Sequence, residues 1–202
     1  KYALALIEEG SITPSTMLTQ ILRLQQICSG HVKLDDGELK HFKTNKLVEL
    51  DNVTDEIRGK IIIWANFTQD IKSIVKLLHD KYGPDSVVSY YGETPSEVRQ
   101  EIVEEFQDLQ SRVRFFVGQP RTGGYGLTLT SARTVIYYSN GYDLEVRLQS
   151  EDRAHRIGQV NKVTYIDIIT EKTVDEKILK ALRSKIDISS QVLSEDYKQW
   201  II

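Results

Sequence analysis

The chain has 202 residues, of which 40% are hydrophobic and 27% charged, and a formal net charge of −3. That length suits one large domain, or one domain with an appendage, and is enough for a buried core. No apolar run approaches the ~20 residues needed to cross a bilayer, and a single cysteine, Cys28, excludes an internal disulfide and fits a reducing compartment. The net charge decides nothing about nucleic acid, because a mildly acidic chain can carry one basic groove.

The chain opens at Lys1 rather than Met, inside a helical-looking stretch from Tyr2, and reads as a piece of a longer polypeptide. Thr13-Pro14-Ser15 supplies start signals for a helix through Ile27, stopped near Gly30. Cys28, among Ile21, Leu24 and Ile27, reads as a buried small hydrophobe. Residues 31–42 are polar and contain glycine, so a surface connection is expected. A helix from about Lys43 to Ile57 follows. Ile61-Ile62-Ile63-Trp64 is a continuous apolar run, the pattern of a parallel strand covered on both faces. Thr68 is expected to cap a helix with Ile71, Ile74, Val75 and Leu78 at helical spacing.

Val87–Tyr90 is the next strand. Thr94-Pro95-Ser96-Glu97 combines a capping box with proline at the first helical position, predicting a helix to about Gln107. Strands are predicted over Val113–Val117, Thr134–Tyr138 and Val163–Ile169, and a closing helix runs from Thr173 to about Leu193. Strand–helix alternation with short connections means βαβ units and a parallel sheet with helices on both faces. Trp64 and at least one of Tyr90 and Tyr91 read as core; exposed tyrosines there would instead suit base stacking.

Chemistry concentrates in Gln149-Ser-Glu-Asp-Arg153-Ala-His-Arg156-Ile-Gly-Gln159. Arg153 and Arg156, three apart in a helical pattern, are expected to leave one face about a turn apart. Two permanently charged planar forks suit the charge on a transferring phosphoryl group. The competing reading is a solvated face whose arginines pair with Glu151 and Asp152. Gly123-Gly124-Tyr125-Gly126 follows a strand and offers either a phosphate-cradling turn or a tight structural corner. Thr68, and Gly92 with Thr94, mark helix starts that serve as simple caps or as anion sites. Arg99 reads equally as a site residue or as half of an ion pair with a nearby glutamate. His155 is assigned packing or a local hydrogen bond. His31, His41, His79 and His155 show no metal spacing, and no G-x-x-x-x-G-K-[ST] phosphate loop occurs.

The run from Gln149 to Gln159 resembles motif VI of superfamily-two helicases, in the form found in Swi/Snf-like ATP-dependent DNA translocases. Its Arg156-Ile-Gly-Gln159 ending departs from the RNA-helicase version, which ends in arginine-glycine-arginine. Lys60–Phe67 resembles the strand opening the second motor lobe, Tyr91-Gly92-Glu93-Thr94 the family's glycine-threonine turn, and Gly123–Leu127 motif V. Leu24–Ser29 is similar to the helix end that precedes this lobe. Gln119 and Pro120 stand where the family has serine and threonine, Thr122 for alanine and Thr128 for asparagine.

The resemblance, over roughly residues 20–193, implies a RecA-like fold, α/β, with a parallel sheet, helices on both faces and extra helices at both ends. Residues 1–42 would lead into a helicase C-terminal domain at 43–172, with 173–202 packed on it. It implies the C-terminal motor lobe of a double-stranded DNA translocase. ATP and Mg²⁺ would be held mainly by an N-terminal RecA-like lobe of the same polypeptide. Arg153 and Arg156 would be catalytic; Gln149, Gly124 and Gly126 would join them at the nucleotide. Thr68, Gly92, Thr94, Arg121 and Thr122 would follow the DNA backbone. The isolated lobe would be a monomer without activity, resident in cytoplasm or nucleus according to its source. Two other readings stay open: a lobe of a strand-separating DNA or RNA helicase, and a non-catalytic RecA-like docking module.

Overall fold

The structure, a computed structural model, describes residues 17–122, 127–156, 159 and 161–184. Helix α1 (Met17–Cys28) leads into a hairpin of β1 (His31–Lys33) and β2 (Leu39–His41), then α2 (Lys46–Glu56). The α/β body follows: β3 (Ile61–Trp64), α3 (Thr68–Tyr82), β4 (Val87–Tyr90), α4 (Arg99–Gln107), β5 (Phe115–Gly118), β6 (Thr134–Tyr137), α5 (Leu144–Asp152) and β7 (Thr164–Asp167). Helix α6 (Val174–Arg183) closes the described chain.

Strands β3 to β7 form one parallel sheet in the order β4-β5-β3-β6-β7. Alternation along each strand gives it two apolar faces. Ile61, Ile63, Phe115, Val117 and Ile136 face Leu50 of α2 and Ile71, Ile74 and Leu78 of α3. Ile62, Trp64, Phe116, Val135 and Tyr137 pack with Phe106 of α4 and with Ala154 beyond α5. The predicted parallel sheet covered on both faces is therefore present, with strand ends shifted by one or two residues. Helices α1 and α6 pack on each other through Ile21, Val174, Ile178 and Leu182. Among the described residues no helix is long and apolar enough to cross a membrane.

Four local expectations change. Residues 31–42 are an antiparallel hairpin rather than a plain connection, because Val32 and Leu34 bury under α1 while residues 35–38 turn in solvent. Gly30 enters that hairpin at φ +89, where a Cβ would lie 2.6 Å from Thr44 Cγ2, so only glycine fits. Thr68 does not cap α3: the cap position is Phe67, whose carbonyl accepts from Ile71 N, and Thr68 is already helical. Thr94 forms no capping box. Pro95 is extended (φ −57, ψ 142) and α4 begins only at Arg99, after a short 3-10 turn. Finally, α5 stops at Asp152. There the Arg153 carbonyl accepts from Leu129 N at 2.9 Å, and burial of Ala154 carries the chain down onto the sheet.

Cys28 is half-buried, and burial pushes its thiol up to about 11, as suits an inert packing residue. Thr173 caps α6 by accepting from Asp175 N, as the sequence predicts; the expected continuation past residue 184 lies outside the described residues.

Candidate functional site

Register aligns Trp64, Tyr90, Gly118, Tyr137 and Asp167 across the sheet, so the carboxyl ends of β3 to β7 are level. Ligands of open α/β sheets gather at that edge. The loops leaving β3, β4 and β5 bring Thr68, Gly92, Thr94, Arg121 and Thr122 to it. Thr68 is half-buried in the first turn of α3. Gly92 is exposed, with nothing within 4 Å of where a Cβ would stand.

Thr94 is buried and internally satisfied: its hydroxyl accepts from Tyr91 N (3.1 Å) and donates to Ser89 O (3.2 Å). It shapes the turn that presents Gly92. Arg99 reinforces the turn by donating to Thr94 O (3.1 Å) and Tyr91 O (3.5 Å), with its guanidinium 5.3 Å from the Tyr90 ring centre. Its hydrogen bonds here go to backbone carbonyls, with the Glu97 carboxylate close enough to feel its charge. Tyr90 is core and Tyr91 half-buried.

The loop after β5 is tied down despite its unusual residues. Gln119 Nε2 donates to Asn66 O (2.9 Å), and Thr122 Oγ1 donates to Gln119 Oε1 (3.0 Å). Gln119 thus joins the β5 and β3 loops. Arg121 is exposed and pairs with Asp143 Oδ2 at 2.9 Å, while the other carboxylate oxygen of Asp143 caps α5 at Val146 N. Gly124 and Gly126 lie outside the described residues.

The two arginines of the Gln149–Gln159 run do not share a helix face, because α5 ends before either of them. Arg153 is 5% exposed, with its guanidinium 5.2 Å from the Trp64 ring centre. Its Nη1 is buried with no hydrogen-bond partner among the described residues, and burial lowers its pKa. Arg156 is exposed and donates to Thr128 Oγ1 at 2.7 Å. Gln149 is half-buried and donates to Glu145 (2.9 Å). His155 is exposed, and its backbone N–H donates to Glu151 O at 3.0 Å. Among the described residues no His/Cys/Asp/Glu group could hold a metal.

Two polar clusters escape sequence reading because their members come from separate elements. Asp70, 2% exposed, accepts from Ser29 Oγ (3.2 Å) and Ser139 Oγ (2.9 Å) and lies 3.4 Å from His31 Nδ1. Burial pushes its carboxyl up to about 7 and His31 down to about 4. The second cluster centres on Arg147, which contacts Glu151, Asn140 and Asp167. No periodicity marks a residue whose partner is twenty positions away.

Over residues 43–158 the sequence matches the helicase conserved C-terminal domain. It is 39% identical over 198 residues to SWI/SNF chromatin-remodeling complex subunit snf22 of Schizosaccharomyces pombe, covering 92% of this chain and 12% of that protein. It is 31% identical over 188 residues to ATP-dependent helicase fft2 of the same organism, covering 93% and 14%. To SWI/SNF-related matrix-associated actin-dependent regulator of chromatin subfamily A member 1 of Homo sapiens it is 28% identical over 200 residues, covering 92% and 19%. The chain therefore spans less than a fifth of each of these relatives.

Among solved structures, the Sulfolobus solfataricus SWI2/SNF2 ATPase core domain superposes with a TM-score of 0.67 at 28% identity, covering 97% of this chain and 42% of that one. The same core in complex with dsDNA gives 0.69 at 24% identity, covering 99% and 45%. The domain match extends over more than half of the chain. The chain belongs to the helicase conserved C-terminal domain family and, within it, to the SWI/SNF branch.

Proposed function

We propose that this chain is the second motor lobe of an ATP-dependent double-stranded DNA translocase, with residues 43–172 as the lobe and the flanking helical segments packed on it. The observation that carries the reading is Arg153 Nη1, a buried cationic donor with no partner among the described residues, three residues from the exposed Arg156. A buried unmatched donor costs free energy, and an anionic oxygen would offset that cost. The residues fit a polyphosphate: two permanently charged forks, with Gln149 one turn earlier on α5.

ATP, with Mg²⁺ held mainly by a preceding RecA-like lobe, supplies the phosphoryl group whose transfer drives movement. Arg156 reaches it across the cleft, while Arg153 approaches from its seat on Trp64. Arginines in such positions contribute roughly 10³ to 10⁵ in rate, about 4 to 7 kcal/mol of barrier. Gly124 and Gly126 belong to the same nucleotide surface. Thr68, Gly92, Thr94, Arg121 and Thr122 follow the DNA backbone, with Thr94 acting through the turn it shapes. One similar core was solved with double-stranded DNA, which supports a duplex track. The motor works in whichever compartment holds its DNA.

DNA-stimulated ATP hydrolysis by the full-length protein is the test. Arg156→Ala should lower kcat at least about a hundredfold with ATP affinity nearly unchanged, because the lost contact forms mainly in the transition state. This lobe alone, which carries no phosphate-binding loop, should be an inactive monomer. Full turnover by Arg156→Ala would point instead to a docking module, and displacement of a paired strand during turnover to a strand-separating helicase.

A further inference from the structure

We infer that Arg147 is a positioning residue: it fastens α5 to the carboxyl ends of β6 and β7 and so sets where Arg153 and Arg156 stand. Its Nε donates to Glu151 Oε1 (2.6 Å) on its own helix. Nη1 donates to Asn140 Oδ1 (2.6 Å), just after β6, and to Asp167 Oδ1 (2.5 Å), the last residue of β7. Nη2 lies 3.4 Å from Asp167 Oδ2, and the guanidinium centre sits 3.5 Å from the Tyr137 ring centre. Both partners are withdrawn from water, with side chains 11% and 6% exposed.

The surrounding bonds close the assembly. Asn140 Nδ2 donates to Asp167 Oδ1 (2.9 Å), Tyr137 Oη and Ser150 Oγ lie 2.6 Å apart, and Tyr165 Oη donates to Glu151 O (3.2 Å). Gln25 of α1 donates to Asn140 O, and Arg183 of α6 approaches Asp167 at 3.8 Å, so the flanking helices meet the same point.

Stability alone does not call for this arrangement. A buried ion pair is often replaceable by apolar side chains with no loss, whereas a network in which every donor has a direction holds one geometry. Arg147 lies six and nine positions before the two arginines, and α5 ends between it and them. A short helix pinned at its middle and released at Asp152 passes any tilt directly to Arg153 and Arg156. Displacements near 1 Å of reacting groups cost on the order of a hundredfold in rate.

The inference rests on the proposed role of Arg156, so the experiment includes that residue as a control. The full-length protein is compared as wild type, Arg147→Lys, Arg147→Gln and Arg156→Ala, recording DNA-stimulated kcat, KM for ATP and melting temperature. Lysine keeps one charged contact to Asp167 but cannot span Asn140, Asp167 and Glu151 together. Arg147→Lys should therefore melt close to wild type yet turn over several-fold more slowly. Arg147→Gln should lose about tenfold or more in kcat with KM within about twofold. Wild-type kcat in Arg147→Lys would overturn the inference, even if Arg147→Gln does not fold. So would losses in kcat that follow only the folded fraction. If Arg156→Ala abolishes turnover while Arg147→Lys is wild type, only the positioning role fails. If Arg156→Ala turns over normally, the proposed function fails and the inference with it.

Discussion

The guanidinium of Arg153 lies 5.2 Å from the ring centre of Trp64, at the carboxyl end of the central strand β3. Both side chains are buried, and each carries one donor, Arg153 Nη1 and Trp64 Nε1, with no partner among the described residues. Stacking on the indole offsets part of the cost of burying a cation, but not the cost of the unmatched donors. A fold selected only for stability would put an apolar side chain at position 153.

Arg153→Met should therefore leave the melting temperature unchanged or raise it, by about 2 to 4 °C per kcal/mol gained. The same variant of the full-length protein should lose most of its DNA-stimulated turnover. Thermal melting and steady-state kinetics on one preparation check both halves. A clear drop in melting temperature would show that the cation stabilises the lobe, contrary to this account.

Gly118 ends β5 against the same tryptophan. A Cβ there would meet Trp64 Cζ3 and Tyr90 O at 2.9 Å and Phe116 Cε1 at 3.1 Å. Because one obstacle is backbone and the others are packed rings, Gly118→Ala should destabilise the lobe by about 1 to 3 kcal/mol. Denaturant titration measures this, and a loss below about half a kcal/mol would mean that the strand ends shift freely.

Asp70 gives the lobe a pH dependence. Burial raises its carboxyl to about 7, so the folded chain keeps a proton that the unfolded chain releases near 3.8. Its contribution to stability is complete below about 4 and is lost as pH rises through about 7. The titratable groups around it are His31, Lys46 and Asp175. His31, lowered to about 4 by burial, acts in the opposite direction: its contribution is present above 6.5 and lost as pH falls through about 4. His31 remains in both proteins, so comparing Asp70→Asn with wild type isolates the carboxyl. The melting temperature of Asp70→Asn relative to wild type should be higher at pH 8 than at pH 5, by about 3 °C or more. A difference independent of pH would count against a raised Asp70.

Arg121 and Asp143 form an exposed pair at the proposed DNA edge. Such a pair adds little stability, so its arginine can exchange the carboxylate for a phosphate. Arg121→Ala should weaken binding equally on unrelated duplexes and make the salt slope shallower by about one unit. Asp143→Asn keeps a capping oxygen for α5 but removes the competing charge, so it should tighten binding. Titrations at several salt concentrations decide the matter, and a sequence-selective loss would show that phosphates are not what Arg121 contacts.

Periodicity and motif spacing were sufficient for the sheet. Ile61–Trp64 and the strands on either side of it, Phe115–Gly118 and Thr134–Tyr137, could be read directly, because a doubly covered parallel strand must be apolar on both faces. The run from Gln149 to Gln159 likewise carried the family in its residue types. What the sequence left undecided depends on partners remote in the chain. Val32 and Leu34 turned a polar connection into a hairpin only because α1 lies above them. Thr68 and Thr94 carry the right side chains for caps, yet the chain enters α3 at Phe67, and Ser89 and Tyr91 claim the hydroxyl of Thr94. The bond from Leu129 N to the Arg153 carbonyl ends α5 where helical spacing would continue it, separating two arginines that look equivalent. Arg147 found Asp167 across twenty residues. Local pattern determines which segments are helix or strand, whereas caps, helix ends and buried charge partners are set by whichever group the assembled fold brings within hydrogen-bond reach.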